Sequence, residues 1–65
     1  MMIYSAEMVR YDGPSFLIER NGTECSEEDL YALGNDAEIV SEVKGWYPYT
    51  HLIEMDGQHY LAEVA

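Results

Sequence analysis

Cysteine and cationic residues are both scarce in this chain, and each scarcity excludes something. A single Cys in 65 residues leaves no intramolecular disulfide and no cysteine pair for zinc. Cys25 reads as a small apolar residue in a reducing compartment. Only three Lys and Arg stand against thirteen Asp and Glu, a formal charge of −10 at pH 7. Direct binding to DNA, RNA or an anionic membrane is electrostatically disfavoured, while cationic protein surfaces attract such a chain. Long apolar runs are also missing. The opening MMIYSAEMVRY has no basic leader and carries Glu7 and Arg10, so it reads as neither signal peptide nor membrane span. A cytoplasmic location follows, host cytoplasm if the protein is viral.

The residues of catalysis are sparse as well. No phosphate-cradling Gly loop, nucleophile elbow or calcium-loop spacing is present. Acids flank Cys25 and raise its pKa, which blunts its reactivity. A chain this short has little room for a shielded substrate pocket. The expectation is a non-enzyme with no cofactor and no metal.

Sixty-five residues form one domain, 1–65, near the lower limit for folding without help. Six Tyr, one Trp and four Met are what the chain has for a core and for contact surfaces. Turn signals cut it into short pieces. Residues 2–11 read as a strand ending at the Asp12-Gly13-Pro14-Ser15 turn cluster. SFLIER reads as a second strand running into Asn21-Gly22, a two-residue hairpin signal. That register sets Ile18 opposite Cys25 and Glu19 opposite Glu24, a like-charge pair with a local cost. Asn21-Gly22-Thr23 also matches a glycosylation acceptor, but in a chain with no secretion signal it reads as a turn.

Ser26 followed by Asp29 resembles a capping box, and predicts a helix from Glu27 to Leu33 stopped by Gly34-Asn35. Leu30 and Leu33 lie on its inward side. EIVSEVK, residues 38–44, reads as a strand for its β-branched content and closing Gly45. YTHLIEM, Asp56-Gly57 and QHYLAEV form a hairpin. Its register puts Tyr49, His51, Ile53 and Met55 on one face with Tyr60, Ala62 and Val64, taken as the buried face. Thr50, Leu52 and Glu54 share the other face with His59, Leu61 and Glu63. His51 and His59 thus point to opposite sides, and His59 pairs with Glu54. The fold class is α+β, an antiparallel sheet of four to five strands with one short helix, closure into a small barrel being the other architecture. So little helix leaves apolar sheet surface uncovered, which favours a homodimer or an avid partner.

The stretch ECSEED sets Glu24, Glu27, Glu28 and Asp29 close together. Helix initiation accounts for the last three, because first-turn carboxylates meet the positive end of the helix dipole. It does not account for Glu24. From Glu19 through Glu42 there are eight acids and one base, Arg20. Alternate strand residues lie about 6.6 Å apart, and phosphates advance about 3.4 Å per nucleotide, so rows of carboxylates can approximate a nucleic-acid backbone. Glu24, Glu27, Glu28 and Asp29 form such a ridge, continued by Glu38 and Glu42 if that strand lies alongside. Trp46 and Tyr47, in the loop around Pro48, are candidate interface anchors, with core use the commoner outcome for Trp46. A solvated face serving solubility alone is the plainer reading of the same charge.

The segment SEEDLYALGNDAEIV, residues 26–40, resembles the middle of the small phage-encoded uracil-DNA glycosylase inhibitors. The shared pattern is Ser, Asp, a large apolar residue, Leu, Gly-Asn, Ala and Glu-Ile. The resemblance implies an acidic, dimeric α+β domain that mimics DNA. Its helix carries an aromatic residue that helps form an apolar pocket for the target. Leu30 stands at that aromatic position here, Tyr31 replaces an acid, and the hairpin at residues 49–64 has no counterpart. The function expected is an inhibitor that blocks a host nucleic-acid-acting protein of repair or defence by occupying its basic groove. The contact residues are Glu24, Glu27, Glu28, Asp29, Leu30, Tyr31, Glu38, Glu42, Trp46 and Tyr47. The alternative is a structural or regulatory dimerisation module whose partner is unrelated to nucleic acid.

Overall fold

The computed structural model describes residues 1–13 and 17–65. Among these, β1 (Ile3–Asp12), β2 (Leu17–Glu24), β3 (Glu38–Glu42), β4 (His51–Met55) and β5 (Gln58–Val64) form one sheet, with α1 (Glu27–Asp36) between β2 and β3. All four pairings are antiparallel and the order is β2-β1-β5-β4-β3. The α+β architecture is as the sequence indicates. The barrel alternative is not: β2 and β3 remain the two edges of an open sheet.

The Asp56-Gly57 hairpin forms in the expected register, with Ile53 opposite Tyr60 and Met55 opposite Gln58. Both turn residues take positive φ, 52° and 80°, the geometry of a type I′ turn. The other expected hairpin does not form. Asn21 and Gly22 lie inside β2, where the pairing steps from Met8–Thr23 to Val9–Arg20 and leaves both without partners. They make a bulge in which Gly22 has φ 76° and the Asn21 side chain accepts the Thr23 N–H at 3.0 Å. The left-handed backbone that Gly22 readily adopts thus serves a bulge. The chain continues along β1 to Cys25, whose N–H donates to the Ala6 carbonyl at 2.9 Å. Ile18 therefore faces Tyr11, and Glu19 faces Arg10 instead of Glu24. The Pro14 and Ser15 of the expected turn, and the Ser15-Phe16 start of the second strand, lie outside the described residues.

Ser26 caps α1 as its sequence suggests: the backbone is extended and the hydroxyl accepts the Asp29 N–H at 3.2 Å. Gly34 does not end the helix. Helical bonding continues to Ala37, whose N–H donates to the Leu33 carbonyl at 2.9 Å. Gly34 is needed for a different reason. A Cβ there would sit 2.6 Å from the Met1 carbonyl oxygen, and the Met1 amine donates to the Gly34 carbonyl at 2.8 Å.

Both faces of the sheet carry a core, which corrects the one-face expectation. On the helix side, Leu33 packs with Ile3, Ala6, Ile53 and Ala62. On the other side, Leu52 and Leu61 pair across β4 and β5 and bury with Val9 and Tyr49, flanked by Tyr11, Ile18, Val43 and Trp46. The β3–β4 connection covers this second face. Tyr49 precedes β4 and so escapes its alternation, joining Leu52 instead of Ile53. Full burial of each Leu, Ile or Val side chain contributes about 1.5–3 kcal/mol.

Candidate interaction surface

The start of α1 gathers the main acidic group. Glu24 closes β2, and Glu27, Glu28 and Asp29 form the first helical turn; all four are exposed. Leu30 is half-buried against the core, whereas Tyr31 is 76% exposed. Between α1 and the start of β1 runs an open groove of about 390 Å³. Met1, Met2, Ile3, Leu30 and Tyr31 give it an apolar lining, and Glu27 adds a carboxylate. Of the ten expected contact residues, five, Glu27 through Tyr31, are therefore brought together on α1, while Glu24, directly opposite Glu7 in the β1–β2 ladder, is turned to the Tyr49 side of the sheet.

The other four are not. The sheet order sets β3 at the opposite edge from β2, with β1, β5 and β4 between. At about 4.8 Å per strand, the edges are roughly 19 Å apart. Glu38 and Glu42 do not extend the Glu24–Asp29 ridge; they are exposed on a separate edge. The helix that joins β2 to β3 is the reason, because it carries the chain across the sheet. Trp46 and Tyr47 follow β3 and belong to this second surface. Tyr47 is 96% exposed, but Trp46 is half-buried over Leu52 and Leu61 and serves mainly as core cover.

Little of the acidity is neutralised internally. Among the described residues, Glu7 with Arg20 is the one ion pair between a carboxylate and a Lys or Arg; His59 also contacts Glu54, a pair that carries opposite charges only when the ring is protonated. The His59 Nε2 lies 3.3 Å from Glu54 Oε2, as the hairpin register requires, and His51 projects from the other face of β4. Among the described residues, no group of three or more His, Cys, Asp or Glu side chains is arranged to hold a metal ion. Burial, and then the charge of Asp29, pushes the Cys25 thiol up, so it is mostly protonated at neutral pH.

One polar cluster went unread in the sequence. Glu7 is only 3% exposed, and Arg20 grips it with two hydrogen bonds of 2.7 Å, from Nε to Oε2 and from Nη2 to Oε1. Tyr49 donates its hydroxyl to Oε1 at 3.3 Å, and the guanidinium carbon lies 5.9 Å from the Tyr49 ring centre. The bonds from Arg20 hold the Glu7 carboxyl below the usual range despite its burial. Burial and the neighbouring Glu7 charge push the Tyr49 phenol up. The signal was there: Glu7 interrupts an apolar strand. Its partner was hidden because the bulge at Asn21-Gly22 sets the position of Arg20. This cluster ties β1, β2 and the β3–β4 connection together beneath an acidic exterior.

No helix among the described residues is long and apolar enough to cross a membrane. Comparisons with protein-family models, curated proteins and solved structures found no match to this chain.

Proposed function

We propose that this protein works by binding: the acidic start of α1 docks on the basic, nucleic-acid-binding surface of another protein and keeps nucleic acid out. The reading makes it an inhibitor of phage type, directed at a host repair or defence protein. One observation carries it. Glu27, Glu28 and Asp29 are exposed together in the first turn of α1, which with Tyr31 borders the apolar groove, and no ion pair among the described residues engages them. Charge of this density speeds encounter with a cationic cleft, and the groove and Tyr31 supply desolvated area that holds the complex. The segment resemblance at residues 26–40 supports the same class.

The experiment is capture of partners from a host lysate, followed by competition with a labelled duplex on the captured protein. Displacement of the duplex by wild type, lost with Glu27→Lys/Glu28→Lys, is the expected result. A ternary complex of this protein, its partner and the duplex would refute it.

The second reading, a dimerisation module, is favoured by the exposed Met2 and Tyr31 that line the groove. It predicts a concentration-dependent dimer that Tyr31→Glu dissociates, observable by sedimentation equilibrium.

A further inference from the structure

The outer edge of β3 has features that the α1 surface does not use. Every residue of Glu38–Glu42 is exposed, and Ile39 and Val40 are 53% and 44% exposed. Among the described residues, no strand pairs with that edge. Its backbone donors and acceptors are therefore open to an added strand. Charge determines which strand fits. His59, Glu54 and Glu38 lie directly opposite one another on β5, β4 and β3. His59 answers Glu54, but Glu38 meets Glu54 as a like-charge neighbour, an arrangement that destabilises a ladder. The next place in that row, outside β3, suits a cation. A second copy of β3 does not supply one: antiparallel pairing centred on Val40 sets Glu38 opposite Glu42 twice, parallel in-register pairing sets Glu on Glu, and Lys44, which a register centred on Ser41 would bring opposite Glu38, lies beyond the end of the strand. The bulge between Ile39 and Ser41 further limits the edge to a short partner.

We propose that β3 receives a short, extended, lysine- or arginine-bearing protein segment as a sixth strand, a cation opposite Glu38 and apolar side chains against Ile39 and Val40. This contact lies on the opposite edge from the α1 surface and does not depend on it.

The test is a nuclear magnetic resonance titration of the full chain in 0.15 M salt. The probe is a capped hexapeptide of alternating lysine and valine; its glutamate–valine counterpart is the control. Saturable shifts at residues 38–42, with slowed amide exchange there, are expected from the first peptide only. Glu38→Lys removes the Glu38–Glu54 repulsion and so should stay folded, and should weaken the first peptide at least tenfold. Glu27→Lys/Glu28→Lys should change its affinity less than threefold. Shifts centred on residues 24–31, equal binding of both peptides, or no saturable shift would each overturn the assignment. None of these outcomes bears on whether α1 excludes nucleic acid from a partner.

Discussion

Replacing Glu7 by Gln tests the buried polar cluster with almost no change of shape. The carboxylate is 3% exposed and accepts two bonds of 2.7 Å from Arg20 and one of 3.3 Å from Tyr49. The amide keeps one acceptor oxygen and turns its NH2 toward a guanidinium that also donates. One charge-assisted bond is lost and one donor is left facing a donor. Losses of this kind run to about 1.5–3 kcal/mol, and relief from burying a formal charge trims the sum. Arg20 is partly exposed, so solvent screens the pair and the lower half of that range applies. Against a total of about 3–10 kcal/mol for a chain of this size, that is a large share. About 1.5 kcal/mol corresponds to roughly 6–12 °C in Tm. Urea unfolding followed by circular dichroism measures it at pH 7. The pH dependence has a defined sign. The folded pKa of Glu7 is lowered, so its stabilisation is present above the unfolded value of about 4.3 and is lost as pH falls through the folded pKa. The gap between wild type and Glu7→Gln should narrow progressively below that pH. A difference under about 0.5 kcal/mol at pH 7, or a gap that stays constant into acid, would refute the reasoning.

Other substitutions probe separate claims. Gly34→Ala gains about 1 kcal/mol of helix propensity, yet its Cβ would meet the Met1 carbonyl at 2.6 Å. Net destabilisation is expected, with amide shifts spreading over residues 1–3; a more stable variant would contradict the close approach. Ser26→Ala removes the acceptor for the Asp29 N–H and should cost about 1 kcal/mol in chemical denaturation. Tyr47→Ala, at a side chain 96% exposed, should leave stability within about 0.5 kcal/mol. A larger loss would show that Tyr47 belongs to the core.

Local chemistry was legible in the sequence and long-range placement was not. Ser26 and Asp29 marked the helix start, and Asp56-Gly57 fixed a hairpin register that also paired Glu54 with His59. These features depend on neighbours a few residues away. Asn21-Gly22 misled because left-handed backbone suits a bulge as well as a hairpin, and the choice rests on β1 lying alongside. The role of Gly34 depends on Met1, thirty-three positions away. Burial of the second face depends on the β3–β4 connection folding Val43, Trp46 and Tyr49 over Leu52 and Leu61, a tertiary contact that its local sequence does not dictate. The same limit applied to the contact residues. Glu27 to Tyr31 are continuous on one helix and stay together, but the β1–β2 ladder turns Glu24 to the other face beside Glu7, and strand order sends Glu38 and Glu42 to the far edge.

The central claim is that the carboxylates opening α1 make the contact with a cationic partner. The most direct measurement is the association rate with a captured partner across ionic strength, for wild type and for Glu27→Lys/Glu28→Lys. A wild-type rate that falls steeply with salt, and a variant at least tenfold slower at low salt with a flattened dependence, is the predicted result. Rates indifferent to salt, or equal in the two proteins, would contradict it.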